Sequence, residues 1–372
     1  MVSLVVHDEF GPEKVLEVWD AKSGMHGFVV IDNTARGPAK GGIRMTPTVS
    51  VREVSKLARA MTWKTAIADL PFGGGKSGIM ADPKKMAPQK KDAIMAAFGR
   101  ALKGIAPHLY IAAPDMNTGE HEMQTFARAN GSAKSTTGKP RSMGGLPHEY
   151  GSTGYGVYIS TLVAAEFMGL GVKGATVAIE GFGNVGSFAM KYLSEAGAKV
   201  VAISDSRGCA YSPSGLDYRN VTQIKAKTGS VINCRGAKCI ACTDLFELPV
   251  DILIPAAVPD SINHENMDKV KARLIVEGAN IPATPDVEQH LHERGILVVP
   301  DIVANAGGVI SSYAEYRGES KAQMVSLVEA KQRKNTKLVL KRAADAHIAP
   351  RDAAMKIAVE RVREAMKRKE KG

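Results

Sequence analysis

The chain has 372 residues and a formal net charge of +11, with 44% hydrophobic and 23% charged residues. Its length predicts two domains, and its dispersed positive charge with only 5% aromatic residues argues against a nucleic-acid partner and suits a small anionic substrate. No apolar run approaches the ~20 residues of a membrane helix, and the sequence MVSLVVHDEF lacks the pattern of a signal peptide, so we expect a cytoplasmic protein without a membrane partner.

The first part of the chain mixes strand-like runs such as HGFVVID with helical runs such as REVSKLARAMTWKTAIA. The apolar positions that recur at helical spacing in the second run are Val54, Leu57, Ala58 and Met61. A polar stretch without periodicity follows, ANGSAKSTTGKPRSMGGLPHEYGSTG, which predicts a connection between domains. We therefore place a first α/β domain at residues 1–135.

From Lys173 onward, short apolar runs alternate with helical ones: ATVAIE, AKVVAISD, VDILIP, LIVEGA and ILVVP. This alternation is typical of a doubly wound, mostly parallel sheet and predicts a second domain of the Rossmann type at residues 150–305. After Asn305 the chain is rich in Ala, Lys, Glu and Arg, which predicts helices. We expect residues 306–372 to return to the first domain and complete it.

The segment VAIEGFGNVGSFAMKYLSEAG predicts a dinucleotide site. It places the pattern G-x-G-x-x-G directly after a strand and at the start of an amphipathic helix. The first glycine allows a tight turn, the second a close approach of the pyrophosphate, and the third the packing of helix on strand. The helix N-terminus favours the phosphates. The candidate cofactor residues here are Gly181, Gly183, Asn184, Val185 and Gly186.

The next strand, KVVAISD, ends at Asp205, at the spacing of about 20 residues where an acid binds the ribose hydroxyls. A carboxylate there favours NAD, because it repels a 2′-phosphate. The neighbouring Ser206 and Arg207 could instead hold that phosphate. The cofactor is therefore predicted to be NAD or NADP, and the pattern leaves the choice open.

Three lysines and an aspartate before the nucleotide segment have unusual neighbours. Lys40 lies in GPAKGGIRM, Lys64 and Lys76 lie in MTWKTAIADLPFGGGKSGI, and Asp115 lies in APDMNT. A desolvated lysine near a second cation has a pKa lowered toward ~7–8, which makes it a usable acid or base. The glycine run that includes Gly74 would let the backbone approach a small ligand closely.

The four cysteines include a C-x4-C-x2-C run, formed by Cys234, Cys239 and Cys242, that is similar to the plant-type iron–sulfur pattern. A fourth ligand would have to be Cys209, which lies upstream instead of downstream. We therefore predict free thiols and no bound metal.

Ten motifs, in this order, carry a resemblance to a known family: GPAKGGIRM, MTWK, LPFGGGKSG, APDMNT, TGKP, TGYGV, GFGNVG, PAA, EGAN and NAGGV. From about Val15 to the last helix the chain resembles the glutamate/leucine/phenylalanine/valine dehydrogenases. The resemblance implies an NAD(P)-dependent enzyme that oxidatively deaminates an L-amino acid to its 2-oxo acid and ammonium. It also implies a homo-oligomer, with a hexamer favoured over an octamer.

The same resemblance implies roles for individual residues. Lys64 matches the lysine that pairs with the substrate α-carboxylate, Lys76 matches the lysine that activates the attacking water, and Asp115 matches the aspartate that exchanges a proton with the amino nitrogen. The positions that it places near the bound cofactor are Thr153, Asn184 and Asn280.

Two further positions bear on the substrate side chain. Lys40 and Ser312 stand where the glutamate-specific members bind the distal carboxylate, which favours glutamate. The run GGGK, the N-terminal layout and the shorter chain look closer to the leucine-type enzymes, so a leucine, valine or phenylalanine dehydrogenase stays an alternative. A catalytically idle, nucleotide-binding regulatory paralogue is a third hypothesis, and the intact Lys64, Lys76 and Asp115 argue against it.

Overall fold

The computed structural model describes residue 5 and residues 7–371; the other residues of the N-terminal stretch considered above for a signal peptide lie outside the described residues. The chain divides into two compact units. The first unit comprises Met1–Tyr150, Val309–Met324 and Ile357–Gly372, and the second comprises Gly151–Gly308 and Val325–Lys356. No described helix is both long enough and apolar enough to cross a membrane.

The first unit is built on a six-stranded mixed sheet of order β1-β2-β5-β3-β6, with β4 also paired to β5. Its strands are β1 (Lys14–Asp20), β2 (Met25–Asn33), β3 (Ala39–Lys40), β4 (Ile43–Thr46), β5 (Gly73–Met80) and β6 (Tyr110–Ile111). Its N-terminal helices are α1 (Val51–Ile67), α2 (Pro88–Ala101) and α3 (Glu120–Asn130).

Both faces of this sheet are covered because successive strand residues point to opposite sides. Along β2, Val29 and Ile31 join the core formed with α2 and α3, whereas Phe28 and Val30 face α1. Helix α1 begins after Ser50, whose hydroxyl accepts a hydrogen bond from the backbone of Glu53 (3.3 Å).

The second unit is built on a seven-stranded sheet of order β10-β9-β8-β7-β11-β12-β13. Its strands are β7 (Thr176–Glu180), β8 (Lys199–Asp205), β9 (Gly208–Tyr211), β10 (Lys238–Ile240), β11 (Ile252–Pro255), β12 (Leu274–Val276) and β13 (Leu297–Val299). Its helices in this part of the chain are α4 (Ser152–Phe167), α5 (Asn184–Glu195), α6 (Tyr218–Thr228), α7 (Pro285–Glu293) and α8 (Asp301–Ala304).

The five strands β8, β7, β11, β12 and β13 are parallel, and β9 and β10 form an antiparallel extension. The chain runs outward from β7 to β8 and then returns to the other side of β7 at β11. Ligands of such sheets bind beyond the carboxyl ends of the strands at this switch point. The predicted α/β fold with a Rossmann-type second sheet is confirmed.

Three helices end the chain: α9 (Gly307–Arg317), α10 (Lys321–Ala346) and α11 (Pro350–Glu370). Residues 325–356 group with the second unit, although the sequence prediction assigns them to the first domain. The reason lies in buried polar contacts: Gln332 of α10 donates to the hydroxyl of Ser160 on α4 (2.7 Å), which also bonds Thr336 (3.0 Å). The stretch at residues 129–154, predicted as the connection, belongs to the first unit as far as Tyr150. Periodicity identifies a helix without identifying the surface that it covers.

Candidate functional site

Lys76 and Asp115 form a half-enclosed ion pair in the first unit. Lys76 projects from β5, Asp115 follows β6, and the Lys76 Nζ contacts the Asp115 Oδ2, with side chains 11% and 16% exposed. The Asp115 Oδ1 accepts a hydrogen bond from the backbone of Met116 (2.7 Å), and Arg44 lies 3.6 Å away. Burial opposes ionisation of Asp115, but the charges of Lys76 and Arg44 outweigh it and hold its pKa below the usual value. Asp115 is therefore ionised at neutral pH.

The missing side chain of Gly42 makes room for this pair. A β-carbon at Gly42 would lie 2.7 Å from the β-carbon of Asp115 and 2.8 Å from the carbonyl oxygen of Pro114. Any other residue would therefore push Asp115 away from Lys76.

Lys40, at the end of β3, is almost completely buried, with 1% exposure. Its ammonium donates to the carbonyl of Ala112 (2.8 Å), and it forms no ion pair among the described residues. Burial lowers the pKa of Lys40 to about 7. Smaller effects come from neighbouring charges: Glu315 raises this pKa, and Lys139 and Lys76 lower it. A carboxylate beside this ammonium would offset the cost of its burial and favour its charged form.

A second buried ion pair lies near Lys40, and it was missed by the sequence analysis. Lys139, in the TGKP motif, donates to Glu315 of α9 (2.6 Å), with side chains 6% and 1% exposed. Glu315 also accepts backbone hydrogen bonds from Gly138 and Leu146 (3.0 Å each). Because Glu315 is fully satisfied by these donors, it anchors the Gly- and Ser-rich stretch, and Lys40 has no carboxylate partner among the described residues. Only the TGKP motif could have indicated this pair.

The other predicted substrate residues lie on three elements of the first unit, α1, β5 and α9. Lys64 lies in the last turn of α1. Gly74 lies on β5 where α1 crosses the strand, and a β-carbon there would overlap Thr62 of that helix. Ser312 is half-buried on α9, three residues before Glu315 and so on the same helix face. Lys64, Gly74, Lys76 and Asp115 therefore remain candidates, with Lys40 as the most deeply buried cation.

In the second unit, the glycine motif has the geometry of a phosphate cradle. Gly181 has φ of +91°, which favours glycine, and a β-carbon at Gly186 would overlap the carbonyl oxygen of Gly181. Gly183 is the N-cap of α5, without a side-chain cap, and a β-carbon there would meet no atom within 4 Å. The uncapped N–H groups and the open space at Gly183 fit a pyrophosphate.

Other motifs meet this cradle at the carboxyl ends of the parallel strands. A β-carbon at Gly278, in EGAN, would lie 3.0 Å from Ala256, in PAA, and 3.1 Å from Val185. Asn305 donates to the carbonyl of Ala279 (3.0 Å) and to the side-chain oxygen of Asn280 (3.2 Å).

Thr153 lies in the first turn of α4, beside the start of α9. A β-carbon at Gly308 would lie 2.9 Å from the hydroxyl oxygen of Thr153. The NAGGV motif therefore connects Thr153, through its two glycines, with Asn305 and the loop that carries Asn280. Contacts within the second unit thus connect Thr153, Asn305 and the loop that carries Asn280 in space.

Asp205 ends β8 as predicted, but its carboxylate is already occupied by protein donors. It accepts hydrogen bonds from the ammonium of Lys225 (2.7 Å), the hydroxyl of Ser230 (3.1 Å), and the backbone N–H groups of Val231 (2.8 Å) and Arg207 (2.9 Å). Burial opposes ionisation, yet Lys225 and the other donors keep the pKa of Asp205 below the usual value. Lys225, on α6, was missed by the sequence analysis because nothing in a helix pattern indicates this contact.

The four cysteines are unpaired thiols. Cys209 and Cys234 are buried, Cys239 is exposed and Cys242 is half-buried. Burial raises the pKa of Cys209 to about 12, so this thiol is protonated at neutral pH. No group of three or more His, Cys, Asp or Glu side chains, among those that the structure describes, is arranged to hold a metal ion.

Two family models match the chain. The model described as Glutamate/Leucine/Phenylalanine/Valine dehydrogenase matches residues 144–370. The model described as Glu/Leu/Phe/Val dehydrogenase, dimerisation domain, matches residues 12–130. Together they span both structural units.

Named relatives agree with these matches. The glutamate dehydrogenase of Aeropyrum pernix is 43% identical over 353 residues, which cover 90% of this chain and 84% of the relative. The NADP-specific glutamate dehydrogenase of Saccharolobus shibatae is 39% identical over 384 residues, covering 96% and 89%. A solved structure of the hetero-hexameric glutamate dehydrogenase of Thermus thermophilus, in its Leu bound form, matches with a TM-score of 0.83 and 31% identity and covers 95% of this chain and 89% of that one.

Proposed function

Because the chain belongs to the glutamate/leucine/phenylalanine/valine dehydrogenase family and is an NAD(P)-dependent amino-acid dehydrogenase, we propose that it oxidises L-glutamate to 2-oxoglutarate and ammonium. The observation that carries this choice is Lys40. A buried ammonium with a single carbonyl partner is costly unless a ligand pairs with it, and the distal carboxylate of glutamate supplies that charge. A substrate with an apolar side chain would leave the Lys40 ammonium unpaired.

The resident side chains support the following chemistry. The glycine turn at Gly181, Gly183 and Gly186 would hold NAD(P), which would supply the acceptor for a hydride from the substrate Cα. Lys64 pairs with the α-carboxylate, and the ionised Asp115 accepts a proton from the amino nitrogen. Lys76 orients the water that attacks the resulting iminium carbon and stabilises the negative charge that develops on its oxygen. Asp115 then returns its proton to the nitrogen, the C–N bond breaks, and ammonia leaves as the hydroxyl loses its proton to give the 2-oxo acid.

A spectrophotometric screen of the purified protein, with NAD and NADP separately against each proteinogenic amino acid, tests this proposal. We expect the highest kcat/KM with glutamate. A higher value with leucine, valine or phenylalanine would contradict the glutamate assignment and leave the family intact.

We further propose that NADP is the preferred cofactor. The four donors fill the ~4 acceptor sites of the Asp205 carboxylate, so a ribose hydroxyl would have to displace one of them. Lys225 also cancels the charge that would repel a 2′-phosphate. The exposed Ser206 and Arg207 supply a hydroxyl and a guanidinium beside it.

Replacing Lys225 with methionine should therefore move the preference toward NAD. The uncompensated Asp205 would repel a 2′-phosphate and regain acceptor capacity, and we expect the ratio of affinities for 2′,5′-ADP and 5′-AMP to fall by about tenfold or more, a change of about 1.4 kcal/mol. Calorimetric titration of both ligands measures this without turnover. Lys227→Met, at an exposed position of the same helix, is the matched control. An unchanged ratio in Lys225→Met would contradict the cofactor proposal alone.

We also propose that the chain forms a homo-oligomer, with a hexamer favoured, through the free edge of β1. Among the described residues β1 pairs only with β2, and it exposes Val15 (41%) and Trp19 (63%) beside a groove of about 720 Å³ that Phe28 and Met80 help to line. An uncovered apolar edge strand is an aggregation hazard. A second copy related by a two-fold axis would cover it with the same surface.

Light scattering on a sizing column tests this assembly. We expect the wild type to elute at a multiple of the chain mass of 39.5 kDa and the double variant Val15→Lys, Trp19→Lys to elute as a smaller species. Substitutions at such exposed positions change folding stability by only about 0.5 kcal/mol. An unchanged mass in a folded double variant, judged by circular dichroism, would exclude this edge as the interface.

We finally propose a cytoplasmic location. The four unpaired cysteines suit a reducing compartment, where thiols persist.

A further inference from the structure

A buried charge cluster in the second unit adjoins the loop that carries Asn280. Arg351, in the first turn of α11, donates from Nε to both carboxylate oxygens of Glu288 (2.8 and 2.7 Å) on α7. Its Nη2 contacts Asp301 of α8 (2.7 Å), Glu277 after β12 (3.2 Å) and again Glu288. The three carboxylates are 0–6% exposed and the guanidinium side chain is 13% exposed. One arginine therefore joins three segments that are distant in sequence.

The same carboxylates hold the backbone of the EGAN loop. Glu277 Oε2 accepts a hydrogen bond from the backbone of Asp301 (2.8 Å), and Asp301 Oδ2 accepts one from the backbone of Ile281 (2.9 Å). Asn280, the candidate cofactor residue, lies between these two anchors.

The backbone of Ile281, which these hydrogen bonds fix, is strained. Its φ is +51°, in the left-handed region that β-branched residues rarely adopt, and its side chain is 52% exposed, so packing does not compensate. Strained backbone of this kind persists where the surroundings impose it, and it occurs at ligand sites. Here two contacts hold Ile281: its backbone N–H donates to Asp301 Oδ2 (2.9 Å), and its carbonyl accepts a hydrogen bond from the backbone of Asp260 (2.9 Å).

The cluster has more negative than positive groups. Three carboxylates and one guanidinium, all ionised, would leave two uncompensated charges in the interior, which is strongly unfavourable. Burial raises the pKa of Glu277 well above the usual value, and the charges of Glu288 and Asp301 add to this while Arg351 opposes it. The Glu277 Oε1 atom is buried and has no hydrogen-bond partner among the described residues. The raised pKa of Glu277 favours its neutral, protonated carboxyl, which reduces the excess of buried negative charge.

We propose that Arg351 is a positioning residue for the cofactor: by holding Glu277, Glu288 and Asp301 together, it fixes the loop from Glu277 to Ile281 in the conformation that presents Asn280 to the nucleotide. This inference rests on the proposed function, because it assumes that the loop binds NAD(P). Arg351 touches neither substrate nor cofactor and acts through the loop.

Two substitutions test this role, Arg351→Met and the conservative Arg351→Lys. A lysine keeps the charge but cannot bridge three carboxylates with a planar fork. We expect the dissociation constant for the reduced cofactor, measured by fluorescence titration, to rise at least tenfold in Arg351→Met and by an intermediate factor in Arg351→Lys. The KM for cofactor should rise in parallel, whereas the KM for glutamate, whose candidate site lies in the first unit, should change less than twofold. Arg273→Met, which removes an exposed arginine of the same unit, is the matched control.

A pH profile separates this role from ordinary loss of an ion pair. Without Arg351, the buried carboxylates bind protons more tightly in the folded state than in the unfolded chain. Their contribution to stability is then fully present below their unfolded pKa values and is lost as the pH rises through the raised folded values. The deficit of Arg351→Met in Tm and in cofactor affinity should therefore shrink on acidification from about pH 8 to about pH 5.

The outcomes are distinguishable. If the wild type binds neither NADH nor NADPH, the proposed function falls. If the wild type binds cofactor and Arg351→Met binds it equally well, or if both KM values rise by the same factor, the positioning role is wrong. If the deficit is the same at every pH, the excess of buried carboxylates does not control the loop and the proposal is also wrong. A variant too unstable to titrate at high pH is titrated at low pH, and Arg351→Lys supplies the comparison.

Discussion

Replacing Lys76 with alanine is expected to lower kcat by about 10²–10⁴, because proton handling and charge stabilisation of this kind contribute that much to a rate. Cofactor affinity should stay near the wild-type value, since the glycine cradle belongs to a different unit. Removing Lys76 also leaves Asp115 buried without its ion-pair partner, so the pKa of Asp115 should rise and the acidic limb of the pH–rate profile should move to higher pH. Steady-state kinetics and a cofactor titration measure these effects.

Asp115→Asn is the companion variant, because it keeps the shape and removes the proton acceptor. We expect a comparable loss of kcat with little change in KM. Lys84→Ala, at an exposed position, serves as the control for the loss of a lysine. Near-normal turnover in Lys76→Ala would remove that residue from the mechanism.

Exchanging Lys40 for leucine together with Ser312 for valine is expected to reverse the substrate preference. Losing one partner of a buried ion pair costs ~2–5 kcal/mol. That range corresponds to a fall of roughly 30- to several-thousand-fold in kcat/KM for glutamate, at about 1.4 kcal/mol per tenfold. Leucine and norvaline should gain, because their side chains would no longer face an ammonium without a partner. A generally damaged protein would lose activity on every substrate alike.

The pH dependence of the wild type provides an independent test of the contact between Lys40 and the distal carboxylate of glutamate. Because the pKa of Lys40 is about 7, glutamate binding above that pH must take up a proton to charge the ammonium. We expect the ratio of kcat/KM for glutamate to that for norvaline to be constant below pH 7 and to fall by up to about tenfold per pH unit above it, until the pKa of the complex is reached. The ratio cancels titrations common to both substrates. A ratio that does not vary with pH, or a double variant with unchanged glutamate turnover, would contradict the role of Lys40.

Much of the fold follows from local sequence patterns. The alternation after Lys173 predicts the parallel sheet, and the glycine motif predicts the tight turn at Gly181 and the helix start at Asn184. These features depend on neighbours a few residues apart, and glycine is informative because a turn or a close approach excludes other residues. The family, its enzyme class and the use of NAD(P) are confirmed by the comparisons, while the roles of individual residues stay predictions.

The contacts that sequence reasoning missed join residues far apart along the chain. Glu315 meets Lys139 across 176 residues, and Arg351 meets Glu288 across 63. A glutamate or arginine in a helical run is usually a solvated surface residue, so no local signal marks these as buried. Asp205 shows the opposite case: its position was predictable, but its partner Lys225 was not, and that partner changes what the carboxylate can bind.

Lys40 separates the choice of substrate from the chemistry performed on it. The nearby charges have their own protein partners, Lys76 with Asp115 and Lys139 with Glu315, while Lys40 contacts a single backbone carbonyl. Substituting Lys40 therefore disturbs no other ion pair. After a gene duplication, one copy could drift toward apolar amino acids through very few substitutions and keep its catalytic pair intact. In such a fold, few substitutions separate one substrate specificity from another.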